Sequence, residues 1–320
     1  MRIIAVLSGR VFIGPELCRD ERYIDAAVNY TNDFSRAMQD LQSMSAWLWP
    51  LFASRLDSVK ALRQREDEFV ALLTPVVQAR REAADESTDN DMLAWLMKEA
   101  SSNGIKEIKD IALIQLALFA VAFHTTALTA TNVLFDLASQ PEYIEPLRDE
   151  IQQALKDHNG TLTSTALSSL RNLDSFIKES LRFRPMSIAT FQRRVLRPFT
   201  LSDGTYIPQD TVLEIANHAI TRDPEYFPDP ETFHPWRFAE RHQPRDQFAS
   251  VSGMLGTFGF GAHACPGRFF AAAEIKMVLA WVLVNYHLKM PEGRERYENL
   301  VFGLTSSPDT RGEILVRRRF

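Results

Sequence analysis

The stretch Phe258-Gly-Phe-Gly-Ala-His-Ala-Cys-Pro-Gly267 constrains this chain more than any other feature. It places Cys265 among three glycines, which permit positive φ angles and a close approach of the backbone to a flat ligand. A cysteine just before a helix gains from the positive end of the helix dipole, which favours the thiolate that a metal requires. The stretch therefore predicts a loop that presents Cys265 as a metal ligand.

A buried helix is predicted directly after this loop. Pro266 suits a first helical position because its missing N–H has no partner there. Between Arg268 and about Tyr286 the apolar residues recur at helical spacing, which predicts packing into a core. These residues are Phe269, Phe270, Ala273, Met277, Ala280, Trp281 and Val284. The alternative for Cys265 is an ordinary buried cysteine, which is the commoner situation for a cysteine taken alone.

The spacing Phe258-x-x-Gly261-x-x-x-Cys265-x-Gly267 resembles the haem-binding signature of the cytochromes P450, which are haem-thiolate monooxygenases. The resemblance implies that Cys265 is the axial ligand of a haem iron, and thiolate ligation favours cleavage of the O–O bond. It also implies propionate contacts from His263 and Arg193, with Arg194 as the alternative to the latter. The cofactor-binding residues expected on this basis are Phe258, Gly261, His263, Cys265, Gly267, Arg193, Ala122 and Thr126.

The composition is that of a globular protein. Hydrophobic residues make up 45% of the 320 and charged residues 24%, and a net charge of −5 argues against a nucleic-acid-binding surface. Two cysteines are too few for a disulfide framework and fit a reducing compartment. The fold class implied by the resemblance is mainly α with small β-sheets, corresponding to the C-terminal portion of the cytochrome P450 fold.

Membrane association is expected only through a segment that the chain as given lacks. The resemblance places its start inside the family fold, so residues 1–320 are expected to form a single domain without the usual N-terminal portion and membrane anchor. The chain as given is therefore predicted to be soluble and intracellular, whereas the family resemblance implies the endoplasmic reticulum surface. No charged residue lies between Asp110 and Asp136, a length that could span a bilayer. Its polar residues, among them Gln115 and His124, favour a helix in a soluble core.

Within that helix, Val121-Ala-Phe-His-Thr-Thr126 resembles the family pattern Ala/Gly-Gly-x-Asp/Glu-Thr-Thr/Ser. Ala122 stands at the glycine position and His124 at the acidic one, a variant similar to fungal enzymes of terpenoid and other specialised metabolism. A mid-helix threonine can bond back to a carbonyl and bend the helix. The catalytic residues expected are Thr125, which would hold a water or dioxygen, and His124, which titrates near neutrality and would supply protons. The alternative is that His124 packs or contacts substrate.

Glu179 and Arg182 lie three residues apart on one helical face. Most such pairs are solvated bridges worth about 0–1 kcal/mol. The resemblance instead implies a buried structural network, completed by Arg237 of the segment Pro235-Trp-Arg-Phe238. An arginine fork can hold two partners at once, so this network would fix the loop that carries Cys265.

Several shorter features complete the prediction. Residues 31–84 have a helical pattern, residues 85–90 form a polar linker, and Thr200 to Pro208 predict a hairpin that turns at Asp203-Gly204. Phe302 to Thr305 resemble the family turn that enters the substrate pocket. The pocket-lining residues expected are Phe119, Phe123, His124, Ile188, Thr190 and Leu304.

The function expected from the resemblance is a monooxygenase that hydroxylates an apolar small molecule, a terpenoid or another secondary metabolite. Its partners would be that substrate, O2 and NADPH-cytochrome P450 reductase, with the haem carrying the oxygen chemistry. Two alternatives stay open. One is a truncated, catalytically inactive remnant that serves as a binding protein, and the other is a haem-dependent isomerase or cyclase that does not use oxygen.

Overall fold

The structure is a computed structural model that describes residues 1–83, 90–105, 107–241 and 246–320. Residues 85–89 of the predicted linker lie outside the described residues. The chain divides into two compact units, Met1–Ala127 and Leu128–Phe320, and the boundary falls within a continuous helix.

The first unit is helical, and side-chain caps mark two of its helix starts. Asp20 accepts a hydrogen bond from the Arg22 N–H, and Asp91 from that of Ala94, so each carboxylate satisfies an N–H that the helix leaves open. The predicted helical stretch 31–84 is two long helices separated by a short one. The helices are α1 (Arg2–Phe12), α2 (Glu21–Gln42), α3 (Trp49–Phe52), α4 (Asp57–Glu82), α5 (Met92–Ser102) and α6 (Ile108–Ser139).

Aromatic rings form the core of the first unit. The Phe119 ring centroid lies 5.4 Å from that of Tyr23 and 5.6 Å from that of Phe12, both edge-on, and it stacks on Phe123 at 5.5 Å. Edge-to-face and offset pairs of this kind stabilise a core beyond their buried area. Phe119 and Phe123 are 1% and 0% exposed, and that they line a substrate pocket stays a prediction. Their rings are used in helix packing.

Helix α6 is long and apolar enough to cross a membrane by length and composition, with a mean hydropathy of 1.9 in its most apolar window. Only 44% of that window is buried, and Leu118 and Val121 are exposed at 41% and 75%. Its polar residue Gln115 is fully buried and donates to the Phe12 carbonyl. A polar group bonded within the protein in this way is what a core helix requires.

In the second unit the last turns of α6 pack with four further helices around one apolar core. Leu137, Leu147, Ile177 and Leu279 are each 0% exposed and belong to this core. The helices of this unit after α6 are α7 (Ile144–Asp157), α8 (Ser164–Ser169), α9 (Arg171–Phe183), α10 (Asn217–Thr221) and α11 (Arg268–Asn285). The mainly helical fold with small sheets is therefore confirmed.

The strands of the second unit pair into small antiparallel sheets. β1 (Thr190–Arg194) pairs with β4 (Val212–Ile215), and β2 (Phe199–Thr200) with β3 (Tyr206–Ile207). The β2–β3 hairpin is the one predicted at Asp203-Gly204, and Gly204 has the positive φ of 89° that such a turn requires.

Two further pairs lie after α11. β5 (Tyr286–Lys289) pairs with β8 (Leu315–Arg318), and β6 (Asn299–Phe302) with β7 (Thr305–Pro308). The β6–β7 turn contains Gly303 at φ 57° and Leu304, in the segment predicted to resemble the substrate-pocket turn.

Two details of the helix after Cys265 differ from the prediction. The helix begins at Arg268 with Gly267 as its N-cap, so Pro266 belongs to the preceding turn. Phe269, Met277 and Trp281 are exposed at 64%, 41% and 55%, whereas Ile275, Leu279 and Leu283 are buried. The apolar residues surround this helix on most sides, so spacing alone could not separate these exposed residues from Ala273, Ala280 and Val284, which lie in or against the core.

Candidate active site

The loop that carries Cys265 closes on itself through backbone hydrogen bonds. The Cys265 N–H donates to the Phe258 carbonyl at 2.7 Å, and the Gly259 N–H to the Gly256 carbonyl at 3.2 Å. Gly259 has φ 71°, and a Cβ there would lie 3.3 Å from the His263 carbonyl oxygen. A side chain at this position would be strained, so glycine permits the fold of the loop.

Cys265 is a half-buried free thiol near the N-terminal end of α11. The Arg268 Nη1 donates to its carbonyl at 2.9 Å, which ties the loop to the first turn of the helix. Gly267 has φ −84°, so it is not one of the loop glycines that use a positive φ. A Cβ there would lie 3.9 Å from the Cys265 Sγ, so glycine leaves the space beside the sulfur open.

The donor set fits a haem. Cys265 is a free, half-buried thiol whose sulfur can act as a single donor. A single thiolate is the protein ligand of a metal whose remaining donors come from a macrocycle. Phe260 and Phe269, on either side of Cys265 in sequence, expose 61% and 64% of their surface. His263 is also exposed, and Phe258 is half-buried against Phe248.

Glu179, Arg182 and Arg237 form a buried charged network. Arg182 makes a bidentate pair with Glu179, at 2.8 Å for both bonds, and the Arg237 Nε lies 3.1 Å from the same carboxylate. Glu179 and Arg182 are 0% exposed and Arg237 is 8% exposed. The carboxylate also accepts the His234 N–H at 2.8 Å. With both oxygens satisfied, this is the geometry in which a buried carboxylate can remain charged.

The two arginines extend the network to the backbone of the segment before the Cys265 loop. Arg182 Nη1 donates to the carbonyls of Thr221 and Pro230 at 2.7 and 2.8 Å, and Arg237 Nη1 to that of Pro228 at 2.5 Å. Residues 221–238 contain few regular elements, so these carbonyls lack strand or helix partners of their own. The network therefore fixes this segment against α9.

Of the two adjacent arginines on β1, Arg193 is the better candidate for an anionic ligand. Arg194 is exposed and lies 2.7 Å from the Asp210 carboxylate, so its charge is already paired. Arg193 is half-buried, with its guanidinium 4.6 Å from the centroid of the Phe191 ring. The Arg193 Nη1 donates to the Gln192 carbonyl at 2.8 Å, and a guanidinium stacked on a ring has further N–H groups that can bond a carboxylate.

The threonines of the α6 motif bond back to their own helix. Thr126 is 2% exposed and donates to the Ala122 carbonyl at 2.8 Å, while Thr125 is exposed and donates to the Val121 carbonyl at 3.2 Å. Such bonds compete with the helical ladder and bend helices. Ala122 is half-buried.

His124 is directed toward α2, away from the exposed side that Thr125 occupies. Its imidazole bonds to the backbone of Val28, packs edge-on to Phe123 at 4.9 Å, and has its Nε2 buried without a hydrogen-bond partner. Burial lowers the pKa of His124 below its usual 6.5, so the ring is neutral at pH 7. This geometry favours the packing alternative over the proton-supply role.

The titration of His124 gives the first prediction. Because its pKa is lower in the folded chain, the unfolded chain binds more protons as the pH falls through 6.5, and stability is lost in that range. We expect the urea midpoint of the wild type to fall between pH 7 and 5.5 by more than that of His124→Phe. Equal pH dependence in the two chains would contradict the buried, neutral assignment.

A second buried charged network was missed by the sequence analysis. Asp136 on α6 is 0% exposed and accepts hydrogen bonds from Ser180, from the Arg184 Nη1 at 2.9 Å and from the Arg296 Nε at 2.7 Å. Arg296 also donates to the Asn132 Oδ1 at 2.8 Å. The network joins α6, α9 and the approach to β6. No local pattern could reveal it, because Asp136 and Arg296 are 160 residues apart in sequence.

Asp136→Asn should destabilise the chain by about 3 kcal/mol, because two arginines would lose their counter-charge in a largely buried site. The measurement is the free energy of unfolding from urea titration. Asp210→Asn is the matched control, since its pair with Arg194 lies at the surface, with side chains 59% and 68% exposed, and its loss should change little. An Asp136→Asn chain as stable as the control would show that the network contributes no net stability.

Comparison with known proteins identifies the family of the chain. The family model for cytochrome P450 matches residues 8–311. Cytochrome P450 monooxygenase ATR3 of Stachybotrys chlorohalonatus and cytochrome P450 monooxygenase paxP of Penicillium paxilli are each 36% identical over the whole chain, which spans 70% and 63% of their lengths. An ent-kaurene oxidase of Gibberella intermedia is 34% identical, and the chain spans 61% of it.

The chain therefore belongs to the cytochrome P450 family, whose members are haem-thiolate enzymes. Haem is the cofactor of this family, and its relatives here are fungal monooxygenases. The chain spans about two thirds of the length of these relatives.

Proposed function

We propose that the protein is a haem-thiolate monooxygenase that hydroxylates an apolar terpenoid or a related secondary metabolite. The observation that carries the proposal is Cys265, a half-buried free thiol in a self-closed glycine loop at the N-terminal end of α11. When bound, the haem supplies the activation of dioxygen, which a thiolate ligand promotes.

In this proposal the residues of the chain hold the haem and orient its thiolate ligand. Cys265 supplies the thiolate, and the backbone bonds of its loop fix the direction of the sulfur. His263 and Arg193 are the proposed partners of the haem propionates. The network of Glu179, Arg182 and Arg237 immobilises the segment before the loop, so the site is preorganised before the cofactor binds.

The overall reaction of a monooxygenase requires a partner that supplies electrons. Substrate R–H, O2, NADPH and a proton give R–OH, water and NADP+, so two electrons must reach the site from NADPH. We propose that NADPH-cytochrome P450 reductase delivers them at the surface of the endoplasmic reticulum.

The proposed substrate class rests on two observations. One relative is named an ent-kaurene oxidase, and ent-kaurene is an apolar diterpene. The turn between β6 and β7 exposes apolar side chains, with Phe302 at 81% and Leu304 at 41%. The Ile188 N–H donates to the Leu304 carbonyl at 2.9 Å, which positions this turn against the segment that follows α9. An exposed apolar turn held in place in this way suits contact with an apolar molecule.

The test of the function is product analysis with labelled dioxygen. The haem-loaded chain is incubated with NADPH, a fungal reductase and a panel of diterpene hydrocarbons, and products are examined by mass spectrometry. A product that gains one oxygen atom from O2 supports the proposal. An isomerised product of unchanged mass would instead establish the isomerase or cyclase alternative, and haem-loaded chain without any product across the panel would remove diterpene hydrocarbons as substrates.

Thr125→Val should uncouple electron consumption from product formation, because the hydroxyl that would hold a water or dioxygen is lost. We expect product formed per NADPH consumed to fall by about a hundredfold, the lower end of the range of general acid–base contributions, with peroxide accounting for the difference. Thr74→Val is the matched control, since Thr74 makes the same back-bond in α4, to Val70 at 2.7 Å. Unchanged coupling in Thr125→Val would remove this residue from the mechanism.

A further inference from the structure

The side chain of Asn217 joins two segments that flank the Cys265 loop. Asn217 is the first residue of α10 and is 6% exposed. Its Nδ2 donates to the Ser187 carbonyl at 2.9 Å, and its Oδ1 accepts the Gly256 N–H at 3.1 Å. Both ends of the amide are therefore used in a buried position, where an unpaired polar group would be costly.

The contact with Gly256 depends on the absence of a side chain there. A Cβ at Gly256 would lie 2.8 Å from the Asn217 Oδ1 and 2.9 Å from the side chain of Thr190. Glycine is thus required for the backbone to reach the amide. A small cleft beside this contact is lined by Leu181, Pro185, Met186, Ser187, Asn217, Gly256 and Thr257.

Backbone hydrogen bonds continue from Gly256 to Cys265. The Gly256 carbonyl accepts the Gly259 N–H at 3.2 Å, and the Phe258 carbonyl accepts the Cys265 N–H at 2.7 Å. An anchor at the Gly256 N–H therefore fixes the loop at its start, and the two later bonds carry that constraint to the cysteine. Successive hydrogen bonds of this kind strengthen one another, so together they hold the loop more firmly than each would alone.

On its other side, Asn217 is bonded to residues 186–188, the segment that supports the exposed apolar turn between β6 and β7. The Ser306 N–H donates to the Met186 carbonyl at 2.8 Å, and the His218 N–H to the Ile188 carbonyl at 3.0 Å. Together with the bond from Asn217 to the Ser187 carbonyl, three consecutive carbonyls, 186 to 188, are held by neighbouring elements. Asn217 thus connects the support of the apolar turn with the cysteine loop.

We propose that Asn217 is a positioning residue for the thiolate: its amide fixes the start of the Cys265 loop against residues 186–188 and so sets the direction of the sulfur. The proposal rests on the proposed function, because it assigns Cys265 to the haem. It predicts that loss of the amide frees the loop and weakens thiolate ligation, with α9 and its charged network left intact.

The experiment compares Asn217→Leu and Asn217→Asp with the wild type. Leucine removes both hydrogen bonds, whereas aspartate keeps the size and the acceptor for Gly256 and loses the donor to Ser187. Asn285→Leu is the matched control, because Asn285 also uses its amide, toward the Trp281 carbonyl at 2.8 Å, but at the far end of α11.

Hydrogen exchange of the haem-free chain tests the contact independently of activity. In Asn217→Leu the Gly256 and Cys265 amides should exchange about tenfold faster, as expected for the loss of buried hydrogen bonds, with the amides of α9 unchanged. In Asn217→Asp the increase should be smaller, because the Gly256 acceptor remains. Faster exchange in α9 as well would show a general structural role and overturn the proposal, as would rates equal to those of Asn285→Leu.

The second readout is the reduced, CO-bound absorption spectrum of the haem-loaded chains over time. The thiolate-type band of Asn217→Leu should decay at least about tenfold faster than that of the wild type, with total haem retained, whereas Asn285→Leu should match the wild type. If Asn217→Leu does not fold, Asn217→Asp carries the same comparison with a smaller acceleration. A normal wild-type band with unchanged decay in the variants would overturn the role of Asn217 alone, whereas absence of the band from the wild type would overturn the proposed function.

Discussion

Glu179→Ala is expected to give a chain that is unfolded or retains no haem. The substitution removes a fully buried carboxylate that pairs with Arg182 and Arg237, which are 0% and 8% exposed. Loss of one member leaves buried charge without compensation, at about 3–5 kcal/mol. Since domains are stable by only about 5–15 kcal/mol, a loss of this size removes much or all of the folded population.

The measurement for Glu179→Ala is the urea midpoint together with haem content after gel filtration. Glu231→Ala is the control, because Glu231 also pairs with an arginine, Arg222 at 2.5 Å, but its side chain is 76% exposed. That pair should contribute little. A folded, haem-loaded Glu179→Ala chain with the stability of the control would contradict the structural role of the network.

Cys265→Ser is expected to abolish product formation. A neutral hydroxyl is a poor iron ligand beside a thiolate, and it does not promote cleavage of the O–O bond. Because serine is nearly the size of cysteine, the loop bonds between Gly256 and Gly259 and between Phe258 and residue 265 should persist. The melting temperature of the haem-free chain should therefore change little, while activity falls to background.

Cys18→Ser is the control for this substitution, since Cys18 is the other cysteine of the chain and is 4% exposed in the first unit. Its activity per bound haem should equal that of the wild type. Full activity in Cys265→Ser, or loss of activity in Cys18→Ser with haem retained, would show that the ligand was assigned to the wrong cysteine.

The sequence predicted the features that depend on local pattern. Helix α6 was predicted from an uncharged apolar stretch, and the helix after Cys265 was predicted from its periodicity. The β2–β3 hairpin was predicted from the turn residues Asp203-Gly204. Periodicity failed where apolar residues occur all around a helix, so it assigned Phe269 and Trp281 to the core although both are exposed. The exposure of a side chain depends on which other elements pack against its helix, and the spacing of apolar residues does not reveal those elements.

The site was predictable to the extent that its residues share a short motif or a known resemblance. Glu179 and Arg182 are one helical turn apart, so their pairing could be proposed, and Arg237 was added by resemblance. Asp136 with Arg296, and Asn217 with Gly256, are bonded across 160 and 39 residues, and each depends on tertiary packing. Nothing in the local sequence around an aspartate or asparagine distinguishes such a residue from one at a surface cap.

The direction of the His124 side chain is another feature that the sequence could not predict. Sequence places it beside Thr125, but adjacent residues on a helix point about 100° apart. One side chain therefore packs toward Val28 in α2 while the other is exposed. A histidine at the position where the family pattern has an acidic residue need not have the same surroundings as that residue.

The claim that Cys265 binds haem through its thiolate is tested most directly by the reduced, CO-bound absorption spectrum of the purified, haem-loaded chain. The spectrum reports the ligand opposite the CO, so it distinguishes sulfur from nitrogen ligation without knowledge of the substrate. We expect a thiolate-type Soret band that disappears in Cys265→Ser and persists in Cys18→Ser. A histidine-type band in the wild type, or a thiolate-type band that survives Cys265→Ser, would contradict the account.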